Sequence, residues 1–355
     1  MNISLISKSV LTGLFAGYFF HNLFVFDNIV SYIIFFSVIA YIHSQMTRDE
    51  IPAAPKEKKS ASLEHIYIPL VVLGFLFVLY FVNWKGFMAS RELIEAIRPQ
   101  SAGLSSNFDH FKKSLAYDSF GMPEAREQLA QISAQIAGMT APDDIKRKFF
   151  EFGRDELEKQ VKTFPNDARY ELLAAVYLNK FKLYDDAIGH LEKAKSLSPK
   201  KQAIRFELAS SYISKKEYEK ALNLLKETYE LEPNFADARD LYAVAAIYAG
   251  RTDIAEDILI PAYGTMAVAK DEFVNAYVSV GDYQTVVLIW QKRISELNKV
   301  GEDNPQFRIS LAAAYLKTGE RQKAILELEK VIKLNPNFKD QGEYYINEIK
   351  AGRNP

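Results

Sequence analysis

The pattern of hydrophobic and polar positions divides the chain into two kinds of sequence. Val10–Phe26 carries no Asp, Glu, Lys or Arg, and neither does Asn28–Ile42; Asp27 alone separates them. The joined run is too long for one untilted membrane helix, which needs about 20 residues. Two short helices meeting at a Phe26-Asp27-Asn28 turn fit better, with the flanks or the bilayer adjusting to their length. Ile66–Asn83 is a third charge-free run, with Pro69 in its first turn and Tyr80 and Trp84 placed for an interfacial belt. The pattern predicts a transmembrane hairpin over 1–43, a linker over 44–65 and a third transmembrane helix over 66–83. A cleaved signal peptide competes for the N-terminus. A single basic residue there, Lys8, and no small-x-small site after the first run weigh against it.

Beyond Asn83 the spacing becomes that of amphipathic helices, and no strand-like alternation stands out. Lys85–Arg98, Phe108–Tyr117, Glu124–Ile136 and Asp143–Thr163 read as helices of a connector over 84–166, broken at Ser119–Pro123 and stopped at Pro165. From Asp167 the chain repeats. Ala187, Ala221 and Ala255 are evenly spaced, and Pro199 and Pro233 stand apart by the same interval. The phrase Ala187-x3-Leu191-x2-Ala194-x4-Pro199 returns as Ala221-x3-Leu225-x2-Thr228-x4-Pro233 and as Ala324-x3-Leu328-x2-Val331-x4-Pro336. A period of about 34 residues, as here, signals a helical solenoid. Five units follow, at 167–200, 202–235, 236–262, 267–300 and 305–338, with a capping helix at Lys339–Lys350 and a tail within 339–355. The third is cut short by Pro261, and the fourth has Val286 where the others have Ala. Small residues let paired helices approach closely. Gly250, Gly281 and Gly319 sit where a first helix must end in a left-handed residue. Phe108–Tyr117 and Asp143–Pro165 read equally as degenerate extra units or as plain connector helices.

These spaced residues resemble the tetratricopeptide repeat (TPR) consensus, over about half of the chain. The expected fold is therefore all-α: three transmembrane helices, a helical connector and a TPR α-solenoid. The inner face of such a solenoid is its expected binding surface. By register the first helices place Glu171, Ala175, Phe206, Ser210, Asp237, Asp240, Ile309 and Lys317 there. TPR domains that hold a peptide carboxylate use Lys, Asn and Arg at such places. Glu171 and Ala175 stand there in the first unit, so that clamp is not expected, and a basic or neutral protein partner fits better. A solenoid that only spaces or stabilises is the alternative.

Composition removes most chemistry. The chain holds 44 Lys and Arg against 45 Asp and Glu, which gives no basic surface and makes nucleic acid an unexpected partner. With no Cys there is no disulfide, thiol nucleophile or Cys-based zinc site. His21, His43, His65, His110 and His190 are scattered, and no phosphate loop, His/Glu zinc pattern or nucleophile elbow occurs. No catalytic residue, metal site or cofactor is expected. His21, Asn22 and Asp27 form a polar cluster in the predicted hairpin. Asp27 reads as a helix cap, or the cluster reads as part of a substrate path or helix contact.

Arg48, Lys56, Lys58 and Lys59 lie in the 44–65 loop and none in the Phe26–Asn28 turn. The positive-inside rule then places the loop and the N-terminus in the cytoplasm and the repeats outside the cytoplasmic membrane. The phrase Gly17-Tyr18-Phe19-Phe20-His21-Asn22-Leu23-Phe24-Val25-Phe26-Asp27-Asn28, with Ser31-Tyr32 and Phe35-Phe36, resembles the late transmembrane region of TPR-containing O-antigen ligase and polymerase family proteins. So does Phe111-Lys112-Lys113-Ser114-Leu115-Ala116-Tyr117-Asp118-Ser119-Phe120-Gly121, followed by Glu124-Ala125-Arg126-Glu127-Gln128-Leu129. The resemblance implies extracytoplasmic polysaccharide assembly, with the bilayer, a protein and a lipid-linked glycan as partners. Members of that family transfer glycan from a polyprenyl-diphosphate carrier, using His and Arg of a large loop that nothing here matches. The leading expectation is a membrane-anchored interaction module in that process. The alternatives are a C-terminal fragment of such an enzyme, from a truncated frame, a split gene or a standalone descendant, and a general envelope assembly scaffold.

Overall fold

The computed structural model describes residues 5–22, 29–47 and 64–354. They form eighteen α-helices and no strand among the described residues, in two compact units, Met1–Phe77 and Val78–Pro355.

The first unit holds α1 (Leu5–Asn22), α2 (Ile29–Thr47) and α3 (Glu64–Val78). Helices α1 and α2 meet through Phe15, Tyr18 and Phe35; Tyr18 stacks on Phe35 with ring centroids 4.7 Å apart. The expected transmembrane helices are not found. No helix of the described residues is long and apolar enough to cross a membrane. The helix boundaries explain this. Helix α1 takes in Lys8 at one end and His21-Asn22 at the other. Helix α2 ends in the polar run His43-Ser44-Gln45-Met46-Thr47. Helix α3 has 15 residues and opens on Glu64-His65. The integral-membrane localisation, with its cytoplasmic N-terminus and extracytoplasmic repeats, is corrected with it. Asp27 and the basic residues of the 44–65 loop lie outside the described residues.

The second unit begins with a π-helical turn at Leu79–Trp84. Then come α4 (Lys85–Ile97), α5 (Leu104–Ala116), α6 (Met122–Gly138) and α7 (Asp143–Thr163). Five helix pairs follow: α8 (Ala168–Lys180) with α9 (Tyr184–Leu197), α10 (Gln202–Ser214) with α11 (Tyr218–Leu231), α12 (Ala236–Tyr248) with α13 (Thr252–Tyr263), α14 (Asp271–Val280) with α15 (Tyr283–Lys299), and α16 (Pro305–Lys317) with α17 (Arg321–Leu334). A last helix, α18 (Lys339–Lys350), packs on α17. The first helices α8, α10, α12 and α14 also touch one another in turn.

The close approaches fall on the small residues. Ala187, Ala221, Ala255 and Ala324 on the second helices are wholly buried. Twelve positions earlier in each pair, Ala175, Ala209, Ala243 and Ala312 on the first helices are at most 2% exposed. The fourth pair is bulkier, with Val274 and Val286 at these two places. The turn inside every pair needs a left-handed residue. Gly250, Gly281 and Gly319 supply it with φ between 70° and 83°, and Lys182 and Lys216 supply it with φ 61° and 63°. A side chain in this region costs roughly 1–2 kcal/mol, which Gly avoids.

A tight contact ties the connector to the first pair. Gly153 of α7 lies under Tyr177 of α8, so a Cβ there would sit 2.5 Å from the Tyr177 hydroxyl. That hydroxyl donates to the Phe150 carbonyl at 2.9 Å, and the ring is 3% exposed and stacked on Phe150. Gly153→Ala should lower stability in a urea titration by about 1–3 kcal/mol, the usual effect of overpacking. Lys216→Gly, at an exposed turn, should raise it by about 0.5–1 kcal/mol, the steric relief exceeding the entropy added to the unfolded chain.

Candidate functional site

The first-helix residues singled out by register have unequal fates. Ser210, Asp237 and Lys317 are exposed, and Phe206 and Ile309 are half-buried. Phe206 stacks on Phe235, with ring centroids 6.2 Å apart. Ala175 is wholly buried, and Glu171 and Asp240 are 1% and 2% exposed. His21 and Asn22 close α1 in the other unit, and Asp27 lies outside the described residues.

Glu171 is occupied inside the fold. Its carboxylate meets His190 Nδ1 at 2.6 Å and Lys193 Nζ at 2.7 Å, both from α9. The other ring nitrogen of His190 faces Glu158 of α7 at 3.1 Å. One imidazole therefore links α7, α8 and α9. The same places recur along the array with other charges. Arg205, one repeat on from Glu171, pairs with Glu227 of α11 at 3.2 Å. Arg308 of α16 donates to Glu327 of α17 at 2.6 Å and, through two nitrogens, to Asp303. The acid is on the first helix in one pair and on the second in the others.

Asp240 serves a different joint. Helix α13 runs past Pro261 to Tyr263, ends at the left-handed Gly264 and does not pack on α14. The segment 264–270 fills in, with Ala267 and Val268 buried. Lys270 at its end reaches Asp240 at 2.5 Å, and the Tyr263 hydroxyl donates to the same carboxylate at 2.7 Å. Arg239 donates to Asp240 and to Tyr263 and lies over the Tyr263 ring. Burial pushes the Asp240 carboxyl up, but the hydrogen bonds from Lys270 and Tyr263 and the charge on Lys270 outweigh it and hold it below its ordinary value. The hydrogen bond to Asp240 raises the Lys270 ammonium.

Open concave surface appears further along. A cleft of about 320 Å³ lies between α14, α15 and α16, lined by Val274, Val278, Tyr283, Trp290, Ala313 and Lys317 among others. A second, of about 200 Å³, lies between α16, α17 and α18, lined by Ile309, Ala312, Ala313, Leu316, Tyr345 and Ile349. Lys317 and Ile309 thus reach clefts that also draw on residues the repeat pattern does not single out. Among the described residues no group of His, Asp and Glu is arranged to hold a metal ion.

Comparison with known proteins agrees with this architecture. The family model for anaphase-promoting complex (cyclosome) subunit 3 matches residues 180–262, and the tetratricopeptide repeat model matches 305–338. The chain carries tetratricopeptide repeats. A tetratricopeptide repeat protein from Parabacteroides merdae ATCC 43184 is 14% identical, with 76% of this chain and 100% of that one covered at a TM-score of 0.48. TTC0263, a TPR protein of Thermus thermophilus, is 15% identical, over 64% of this chain and 99% of that one, at a TM-score of 0.32. YrrB, described as a TPR protein with an unusual peptide-binding site, is 15% identical, over 51% and 92%, at a TM-score of 0.33. No curated protein matches the chain. None of these comparisons points to the O-antigen ligase family, and bilayer and glycan partners have no support. The tetratricopeptide repeats fit a protein partner.

The Asp240 cluster can be tested as a joint. Removing one member of a buried ion pair costs about 3–5 kcal/mol. Lys270 is 41% exposed, so water takes up part of the stranded charge, and Asp240→Ala should cost about 2 kcal/mol in a denaturant titration. A carboxyl depressed in the fold stabilises it above the ordinary carboxylate pKa of about 3.9. That contribution is lost as pH falls through the lower folded value. The Tm gap between the natural chain and Asp240→Asn should therefore be full near neutrality and close only as the pH drops below that range.

Proposed function

We propose that the repeat array holds an extended segment of a partner protein along the face made by its first helices. The observation behind this is the succession α8, α10, α12 and α14, each touching the next, which makes one continuous face, with α16 following beyond a cleft. Solvent-open side chains remain on first helices at Ser210, Asp237 and Lys317. With Glu171 and Asp240 occupied internally, the face is less acidic than its residue types imply. Of the residues singled out by register, its exposed charges are one acid, Asp237, and one base, Lys317. Charge along it therefore changes sign, which orients an extended chain better than it attracts one.

Photo-crosslinking tests the face. A benzophenone amino acid placed at Ser210 or Lys317 should capture one and the same protein. Placed at Lys226 or Leu288 on second helices, both exposed, it should capture none of it. Equal capture from both sets of positions would move the contact off the first-helix face.

A further inference from the structure

Helix α16 turns one stripe to solvent, Gln306, Ser310, Ala313 and Lys317 at i, i+4, i+7 and i+11, and its other faces are largely apolar. Those apolar flanks are not fully covered by neighbouring helices. No Cα of α14 comes within 8 Å of one in α16, nor does any of α18, although the earlier first helices touch. The two apolar clefts open at these gaps, one on each side of α16, and exposed Ala313 lines both. Where α12 meets α14 there is no such gap. Val274 and Val286, standing where the other pairs have Ala, line the first cleft. Among the residues lining the two clefts, Lys317 alone carries a formal charge. It is exposed and joins no ion pair among the described residues.

We propose that the two clefts receive two bulky apolar side chains of one extended, acidic peptide segment that crosses α16 at Ala313. This deepens the reading of the first-helix face and rests on it. The low ridge at Ala313 lets a backbone lie close, and the clefts on either side are about one helix diameter apart, roughly 10 Å. A chain in the polyproline-II conformation advances about 9 Å in three residues and returns to the same face. The two apolar residues therefore stand at i and i+3. The carboxylate belongs beside the first cleft, because Lys317 is the charge there that lacks a counter-charge. The partner is an aliphatic or aromatic, acidic linear motif, of opposite sign to the one that Glu171 and Asp240 suggest by residue type.

The test is a selection of random linear peptides, fused at both ends so that no free C-terminus is offered, on the full chain. Enriched sequences should share two bulky apolar residues at i and i+3 with Asp or Glu adjacent. Synthesised with blocked ends and followed by fluorescence anisotropy, they should bind about tenfold or more weakly to Ala313→Trp, which raises the ridge. They should bind about fivefold more weakly to Lys317→Glu. Lys226→Trp on α11 should leave binding unchanged. Lys317 is exposed, so its variant keeps the test decisive if Ala313→Trp melts early. Enriched basic peptides, helical peptides with apolar residues at i and i+7, or indifference to both α16 substitutions would overturn the proposal. Peptides that respond to Ser210→Trp but not to α16 would overturn it and leave the first-helix face standing. Peptides that respond to neither would remove both.

Discussion

The array depends on the close approach of two helices at a pair of methyl groups. Ala175 and Ala187, Ala209 and Ala221, Ala243 and Ala255, and Ala312 and Ala324 are all buried to within 2%. No single pair can bury its apolar face alone, so each pair completes the core of the next. The first three pairs stack with their first helices in contact, and the first helix of the fourth touches that of the third. The fourth, with two valines, is followed by a first helix that stands off. A change of a few methyl groups thus coincides with the change from a closed joint to an open cleft.

Charge is spent on positioning along the same array. Glu171 with His190 and Lys193, Asp240 with Lys270, and Arg308 with Asp303 and Glu327 each join separate helices through a nearly buried side chain. Replacement of such a pair by apolar residues is often neutral or stabilising, so these contacts are weak evidence for stability and better evidence for register. Two of them sit at equivalent places with acid and base exchanged, Glu171 in the first pair and Arg308 in the fifth. The first helix of one pair set against the second helix of the other would bring like charges together.

The repeat was legible because it rests on residue types with one physical meaning. A buried alanine returning once per repeat and a glycine after a first helix leave little else to conclude. Lys182 and Lys216 were not legible as left-handed turn residues, because nothing in a lysine announces positive φ; only their equivalence to Gly250 does. Glu171 and Asp240 were placed on the right helices, but register cannot tell a side chain facing a groove from one facing the next helix. Asp240 is settled by Lys270, thirty residues away. The apolar runs of the first unit were legible as composition only. The structure adds what composition leaves out, that the helices take in polar residues at their ends, Lys8 and His21-Asn22 in α1 and Glu64-His65 in α3.

The joints on the two sides of the fourth pair differ in kind from the earlier ones. Between the first three pairs, a second helix packs on the next first helix and the first helices touch as well. Before the fourth pair the first helices alone meet, with the 264–270 segment alongside; after it, α15 alone meets α16. In a one-dimensional array, cooperativity is carried by these nearest-neighbour terms. The α14–α15 pair is thus held by one helix contact on each side, although a single buried core runs past it from α8 to α18. Fraying that starts at the C-terminal cap meets its first singly braced joint between pairs where α15 meets α16.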